Sequence, residues 1–404
     1  MMPELSDHDE ASEDIDDVYP VHRPDHVLRR QERTEFRPWH HPRKQYVRIH
    51  QWCTAAERLI KDLKLGNGDP FRYLTLPGND FLDVRTLHGV CETANVKLRY
   101  LGFNSVAPGS SEQAELNLSQ NEVRSLTAID PHSQVVEDRL ESLANDRSPA
   151  LRSTSQRAPF HAINIDLCDS IAFRDADDPK GSMLAALGQL LKLQRQTTTS
   201  WLLFITTRAQ PGLVCSSARD GFMSAIAENA AASAEFREKL AELVSVSAGD
   251  LDAALGAAWS GEDANFIRVF CTGLSKWLLS LLGNAQPPRE LILLSSCCYQ
   301  VGPAGPDMLS LAFRCNTPPQ SVQDPHGILV AAGSLATFSE VDAALRMVKK
   351  VAGTMDLDQM LARDPELATK LISQAGRLLA SASYRADAYE AWAVEQLGRR
   401  MQLA

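Results

Sequence analysis

The chain lacks each of the short motifs that would assign an enzyme class alone. It has no GxxxxGK[ST] phosphate loop and no GxSxG elbow, which disfavours a P-loop ATPase and a serine hydrolase. Its eight cysteines (Cys53, Cys91, Cys168, Cys215, Cys271, Cys297, Cys298 and Cys315) include no CxxC pair. Without paired ligand spacing they indicate no zinc framework, and scattered through apolar runs they read as reduced core thiols of an intracellular protein. His40, His41 and His50 are too irregularly spaced to suggest a metal site. No uninterrupted apolar stretch reaches the roughly 18 residues of a membrane span. The opening MMPELSDHDEASEDIDD lacks a basic region followed by an apolar one, so no signal peptide is expected and the protein should be cytoplasmic. An excess of positive charge is missing as well: 51 acidic against 41 basic residues give a net charge of −10. That balance excludes a uniformly basic nucleic-acid surface and leaves room only for local basic patches.

What is there is enough for a sizeable core. The chain has 404 residues, 44% of them hydrophobic, which suits one large core with an appendage or two modest domains. Residues 1–42 read as a disordered tail. An acidic block (Glu4 to Asp17) precedes a basic, His-containing one (Arg23 to Lys44), and neither has the apolar content to offset the entropy of ordering. The tail is either simply solvated or a tether for partners, with Trp39 as an anchor; nucleic acid is a further candidate that no recognisable target-reading domain supports.

From Arg43 to Leu65 the apolar positions Tyr46, Ile49, Trp52, Cys53, Ala56, Leu59, Ile60 and Leu63 recur at helical spacing. Arg48, Glu57, Arg58, Lys61 and Lys64 are left to face water. The stretch Phe71–Asn104 then reads as strand (Phe71 to Leu76), turn (Pro77, Gly78, Asn79), helix (Phe81 to Ala94) and strand (Val96 to Phe103). Its length is that of one right-handed βαβ crossover, whose first turn lies where a nucleotide-like ligand would bind. Beyond it, Val123–Ile129 is expected as a third strand, Gln134–Asn145 as a short helix and Asp146–Ala158 as a polar linker. Phe160–Ile171 and Ser200–Thr206 read as buried strands flanking a helix at Gly181–Gln194. The Ala-rich 218–283 region is helical, and Glu290–Tyr299 with Met308–Cys315 should form an antiparallel hairpin. Pro318, Pro319 and Pro325 mark a linker into helices with an aromatic face at Tyr384, Tyr389 and Trp392. The fold class is therefore α/β, a Rossmann-like, mostly parallel sheet with a late antiparallel hairpin and a helical C-terminal region. Its domains are a tail at 1–42, a main domain at 43–317 with a helical insertion at 218–283, and a helical region at 318–404.

Two carboxylate pairs carry the candidate chemistry. Asp80 and Asp83 lie at the start of the first crossover helix, where they would orient a ligand or serve as ordinary caps. Asp166 and Asp169 lie at the end of an otherwise apolar strand, as catalytic groups or as a solvated strand end. Use of the second pair as Mg²⁺ ligands lacks any partner motif. Cys168, in an apolar strand without a basic neighbour, is expected in the core, and His88 and His161 are expected to be structural.

The lead-in helix, the LPGND turn, the βα series, the acidic NIDLCDS strand end and the late hairpin together resemble a class I S-adenosylmethionine-dependent methyltransferase over about residues 43–315. They are also similar to methyltransferase-like proteins encoded with bacterial defence systems, including the partners named for a three-cysteine motif. The resemblance implies S-adenosylmethionine as cofactor, held by Leu76, Pro77, Gly78, Asn79, Asp80, Asp83, Asn104 and Asp166, with Asp166 and Asp169 beside the methyl acceptor. The sequence departs from that pattern in having one glycine in the turn and an amide, Asn104, where a carboxylate usually meets the ribose. The competing expectation is an inactive Rossmann-like scaffold that docks protein partners through its N-terminal tail and C-terminal helices.

Overall fold

A computed structural model describes residues 31–401 apart from 108, 176, 179–180, 286–287, 304 and 318–337. Eight strands form one sheet: β1 (Pro70–Thr75), β2 (Lys97–Phe103), β3 (Gln134–Val136), β4 (Ala162–Asp166), β5 (Trp201–Arg208), β6 (Glu290–Tyr299), β7 (Met308–Asn316) and β8 (Met355–Asp356). Their order is β3-β2-β1-β4-β5-β7-β6-β8. All neighbours pair in parallel except β7, which runs antiparallel to both β5 and β6. The expected α/β class, parallel series and late hairpin are all present.

Strict alternation splits the strand residues between two cores. Leu74, Leu101, Ile163, Ile165, Leu203, Ile205 and Leu311 face the helices at Met183–Gln194, Ser216–Ala232 and Ala264–Gly283. Phe71, Tyr73, Leu98, Tyr100, Leu202 and Phe204 face the lead-in helix and the crossover helix Leu82–Thr93. Strands covered on both faces must be apolar at successive positions, which is why they read as near-continuous apolar runs. The helix Ala264–Gly283 is long and apolar enough to cross a membrane, but it is largely buried against the sheet.

The structure corrects several boundaries. Val123–Ile129 is not a strand: the helix Ser111–Arg124 runs into it, and Ile129 contributes a single bridge to Leu98. The third strand falls instead in the segment read as a helix, at Gln134–Val136, followed by a 3₁₀ turn at Leu140–Ala144. Three residues are too short to show a period. The expected polar linker at 146–158 contains the helix Pro149–Arg157, started by the Ser148 hydroxyl, which accepts the Leu151 N–H.

Both ends of the chain join the body. Of the expected tail 1–42, residues 31–42 are described, and they do not hang free. Arg33 forms a bridge with Tyr384, donating its backbone N–H to the Ser383 carbonyl (2.9 Å) and accepting from Arg385 (3.0 Å). Phe36 packs against Tyr384, Tyr389 and Trp392, so the expected aromatic face of the C-terminal helices is covered by the chain's own N-terminal segment. At the other edge, β8 extends the sheet and the helix Glu340–Val351 packs on β6. The proline linker lies outside the described residues.

Candidate functional site

The connection leaving β1 runs to β2, whereas β4 lies on the other side of β1 and is followed along the sheet by β5. Loops leaving the carboxyl ends of β1 and β4 therefore diverge and leave a crevice, the usual ligand position in an open α/β sheet. Here the crevice is a cleft of about 760 Å³, within the range of sites for small organic ligands. Its walls come from the LPGND turn, the end of β4, the lead-in helix and the 33–39 segment, with Tyr299, Met308 and Tyr384 closing the sides.

Leu76, Gly78, Asn79 and Asp80 of the turn line the cleft, together with Asp83. Pro77 faces away: its ring packs on Gly102 of β2 so closely that a β-carbon there would sit 2.8 Å from Cγ. Asn104 is also spent on the turn. Its Nδ2 donates to the Pro77 carbonyl (2.9 Å), and its Oδ1 accepts the Val106 N–H (3.2 Å). The amide thus fixes the turn from the β2 side and does not line the cleft. Gly78 has nothing within 4 Å of where a β-carbon would stand, so a side chain at 78 would enter open space. The turn ends at Phe81, which is fully buried and held at φ 52°. A bulky residue in the left-handed region costs of order 1–3 kcal/mol, and such strain concentrates where a backbone must be pre-shaped.

The two carboxylates of this wall differ in environment. Asp80 is tied to the chain ends: Arg33 Nη2 lies 2.6 Å from Oδ1, the Tyr384 hydroxyl donates to Oδ2 (3.0 Å), and His40 Nε2 lies 3.5 Å from Oδ2. Burial opposes its ionisation, but His40 and Arg33 outweigh that and bring its pKa down to about 2. Asp83 accepts from Thr75 Oγ1 (2.5 Å) and the Tyr73 hydroxyl (3.0 Å), and Asn164 Nδ2 in turn donates to Tyr73 (2.8 Å). Burial, with the charge of Asp166, raises the Asp83 pKa against those two hydrogen bonds.

The facing wall is cationic. The lead-in helix is α-helical over Pro42–Tyr46, π-helical over Val47–Cys53 and α-helical again over Thr54–Leu63. Widened turns of this kind re-aim side chains and recur at functional sites. Lys44 and Arg48, four positions apart, both reach the cleft although they are only 3% and 4% exposed. Lys44 Nζ meets Asp166 Oδ1 at 2.5 Å and Thr206 Oγ1 at 3.2 Å, and it lies 4.7 Å from the centre of the Trp52 ring. Burial lowers the Lys44 pKa and Asp166 opposes the shift. Arg48 donates from Nη2 to the Trp39 carbonyl (3.0 Å). Its exposure to water was the sequence expectation; the helix instead turns it inward under the C-terminal helices.

Of the residues expected at the site, Leu76, Gly78, Asn79, Asp80, Asp83 and Asp166 therefore share one cleft, while Pro77 and Asn104 support its wall from behind. Asp169 is exposed and outside it, with Oδ1 accepting the Ser170 N–H (2.8 Å) and its carbonyl accepting from Arg208 (3.1 Å). Cys168 is not in the core as expected but exposed at the cleft, just past β4. Desolvation and then Asp166 push its thiol pKa up, which does not favour a nucleophile. Arg33, Arg37, Trp39, Lys44 and Arg48 were missed as lining residues. The available signal was the four-residue spacing of Lys44 and Arg48, which puts two cations on one side of the lead-in helix. Among the described residues, no three of His, Cys, Asp and Glu gather as a metal site.

No curated protein matches the chain. A family model described as PP_RS20740-like matches residues 33–394, from the arginine that holds Asp80 to the last helix, and the chain belongs to that family.

Proposed function

We propose that the cleft binds S-adenosylmethionine and that the protein is a methyltransferase or a direct derivative of one. The observation that carries this reading is the position of the cleft: it opens at the carboxyl ends of β1 and β4, against the glycine-containing turn and Asp166. Gly78 leaves room on the turn for a ligand's close approach. Methyl transfer from a sulfonium asks mainly for alignment of donor and acceptor and exclusion of water. This chain would supply the first through the strained turn and the second through the roof formed by residues 33–39 and Tyr384. Binding of labelled S-adenosylmethionine in equilibrium dialysis, displaced by S-adenosylhomocysteine, is the expected result; retention at background level would reject the reading.

A second reading, an inactive scaffold in a multiprotein assembly, has its own support. Asp80 is already neutralised by Arg33, Asp166 by Lys44, and Asn104 is bonded to Pro77, so three groups expected to meet a cofactor are satisfied within the chain. Under it, substitutions in the cleft leave assembly with partner proteins unchanged.

A further inference from the structure

Among the described residues, each cation lining the cleft has a carboxylate beside it except Arg48. Lys44 pairs with Asp166, Arg33 with Asp80, Arg208 with Asp307 at 3.0 Å, and Arg37 lies 3.8 Å from Glu35. Among the described residues, Arg48 has no carboxylate within 4 Å. Its Nε is buried without a hydrogen-bond partner, and Nη2 has only the Trp39 carbonyl. A guanidinium taken this far out of water and left unpaired is costly unless something completes it. Because Arg48 lines the cleft, the completing group belongs to whatever occupies that space.

We propose that Arg48 is the carboxylate-recognition residue of the cleft, so that its ligand carries an amino-acid end directed at the lead-in helix. This rests on the ligand reading above and specifies which part of the molecule goes where. The planar fork of a guanidinium matches the two oxygens of a carboxylate in a bidentate pair. The π-helical turn at Val47–Cys53 places that fork in the cavity. Asp83 and Asp166, on the sheet side of the same cleft, provide the complementary charge for an α-ammonium group. A zwitterionic end would therefore be read at both charges, whereas a ligand bearing a phosphate alone would meet Asp83 and Asp166 unfavourably.

The test compares three ligands on the full chain: S-adenosylhomocysteine, 5′-methylthioadenosine, which lacks the amino-acid end, and L-methionine, which lacks the nucleoside. Wild type should prefer S-adenosylhomocysteine to methylthioadenosine. Arg48→Gln should lower affinity for the former by about 10- to 100-fold, the loss of one charged bidentate contact, and leave the latter unchanged. Arg48→Lys, which keeps the charge but not the fork, should fall between. Cooperative melts of both variants establish that they are folded. Equal binding of the two nucleosides to wild type, or equal weakening of both by Arg48→Gln, overturns the assignment while leaving the cofactor reading intact. If neither nucleoside binds but methionine raises the melting temperature of wild type and not of Arg48→Gln, the carboxylate site stands and the cofactor reading falls. If none of the three binds, both are rejected.

Discussion

Lys44 Nζ lies 2.5 Å from Asp166 Oδ1, so a lysine from the lead-in helix meets the carboxylate that ends β4, 122 positions away. The pair joins the N-terminal helix to the sheet at the cleft floor. Removing one partner of a buried pair strands the other. Asp166→Ala should therefore cost about 2–4 kcal/mol in urea unfolding, because Lys44 is nearly inaccessible to water. Lys44→Met with Asp166→Ala should recover part of that loss, giving a coupling of about 1–3 kcal/mol. Strict additivity of the single and double variants would show that the two residues do not interact.

Arg33 and Tyr384 hold Asp80 from opposite ends of the sequence, closing the N-terminal segment and the C-terminal helices over the turn. Tyr384→Phe should cost about 1.5–3 kcal/mol, one hydrogen bond to a charged group, and speed proteolysis around residues 33–40. His40 and Arg33 hold the pKa of Asp80 down at about 2, below the ordinary carboxylate value of 3.8. Its contribution is thus fully present above about pH 4 and is lost as pH falls through 2. Cleavage rates unchanged by Tyr384→Phe would mean the segment is anchored elsewhere.

His161 adds a second loss of stability at low pH, in a higher window and through a base that burial keeps neutral. Its Nδ1 accepts the Arg72 N–H (3.0 Å), and burial, with the charge of Arg72, lowers its pKa from 6.5 to about 4. The unfolded chain binds the proton first, so stability is full above pH 6.5 and falls as the pH is lowered towards 4, by up to about 3 kcal/mol. His161→Asn should flatten that slope. An unaltered slope between pH 6.5 and 4 would assign it to other groups.

Gly102→Ala should be destabilising by about 1–3 kcal/mol, since its β-carbon would stand 2.8 Å from the rigid Pro77 ring. The displaced turn should also weaken ligand binding more than the loss of stability accounts for. An unperturbed melt would show that the turn yields freely.

The sheet was legible because its central strands are buried on both faces: the runs at Phe71–Leu76, Phe160–Ile171 and Ser200–Thr206 mark β1, β4 and β5 through composition alone. The turn and Asp166 were legible for the same reason, as the polar ends of those runs. Elements built from few residues were not. The three residues of β3 and two of β8 acquire their strand character only by pairing with neighbours already in place. The cationic wall was hidden by a sound rule applied to the wrong environment. Arg48 on an amphipathic helix is ordinarily assigned to water, and its burial depends on the C-terminal helices and on the 33–41 segment, hundreds of residues apart in sequence. The tail boundary at 42 failed likewise: Phe36 and His40 are ordered by Tyr384, Tyr389 and Trp392, a contact that local composition does not carry.

Calorimetric titration of the purified chain and of Gly78→Val with S-adenosylhomocysteine addresses the cleft most directly. No protein atom lies within 4 Å of where a β-carbon at 78 would stand, and the side chain would enter the cleft, so the variant should melt like wild type. The cofactor reading predicts micromolar binding by wild type and none by Gly78→Val. A folded wild-type protein that takes up no ligand at millimolar concentration, or a Gly78→Val variant that binds as wild type does, would contradict it.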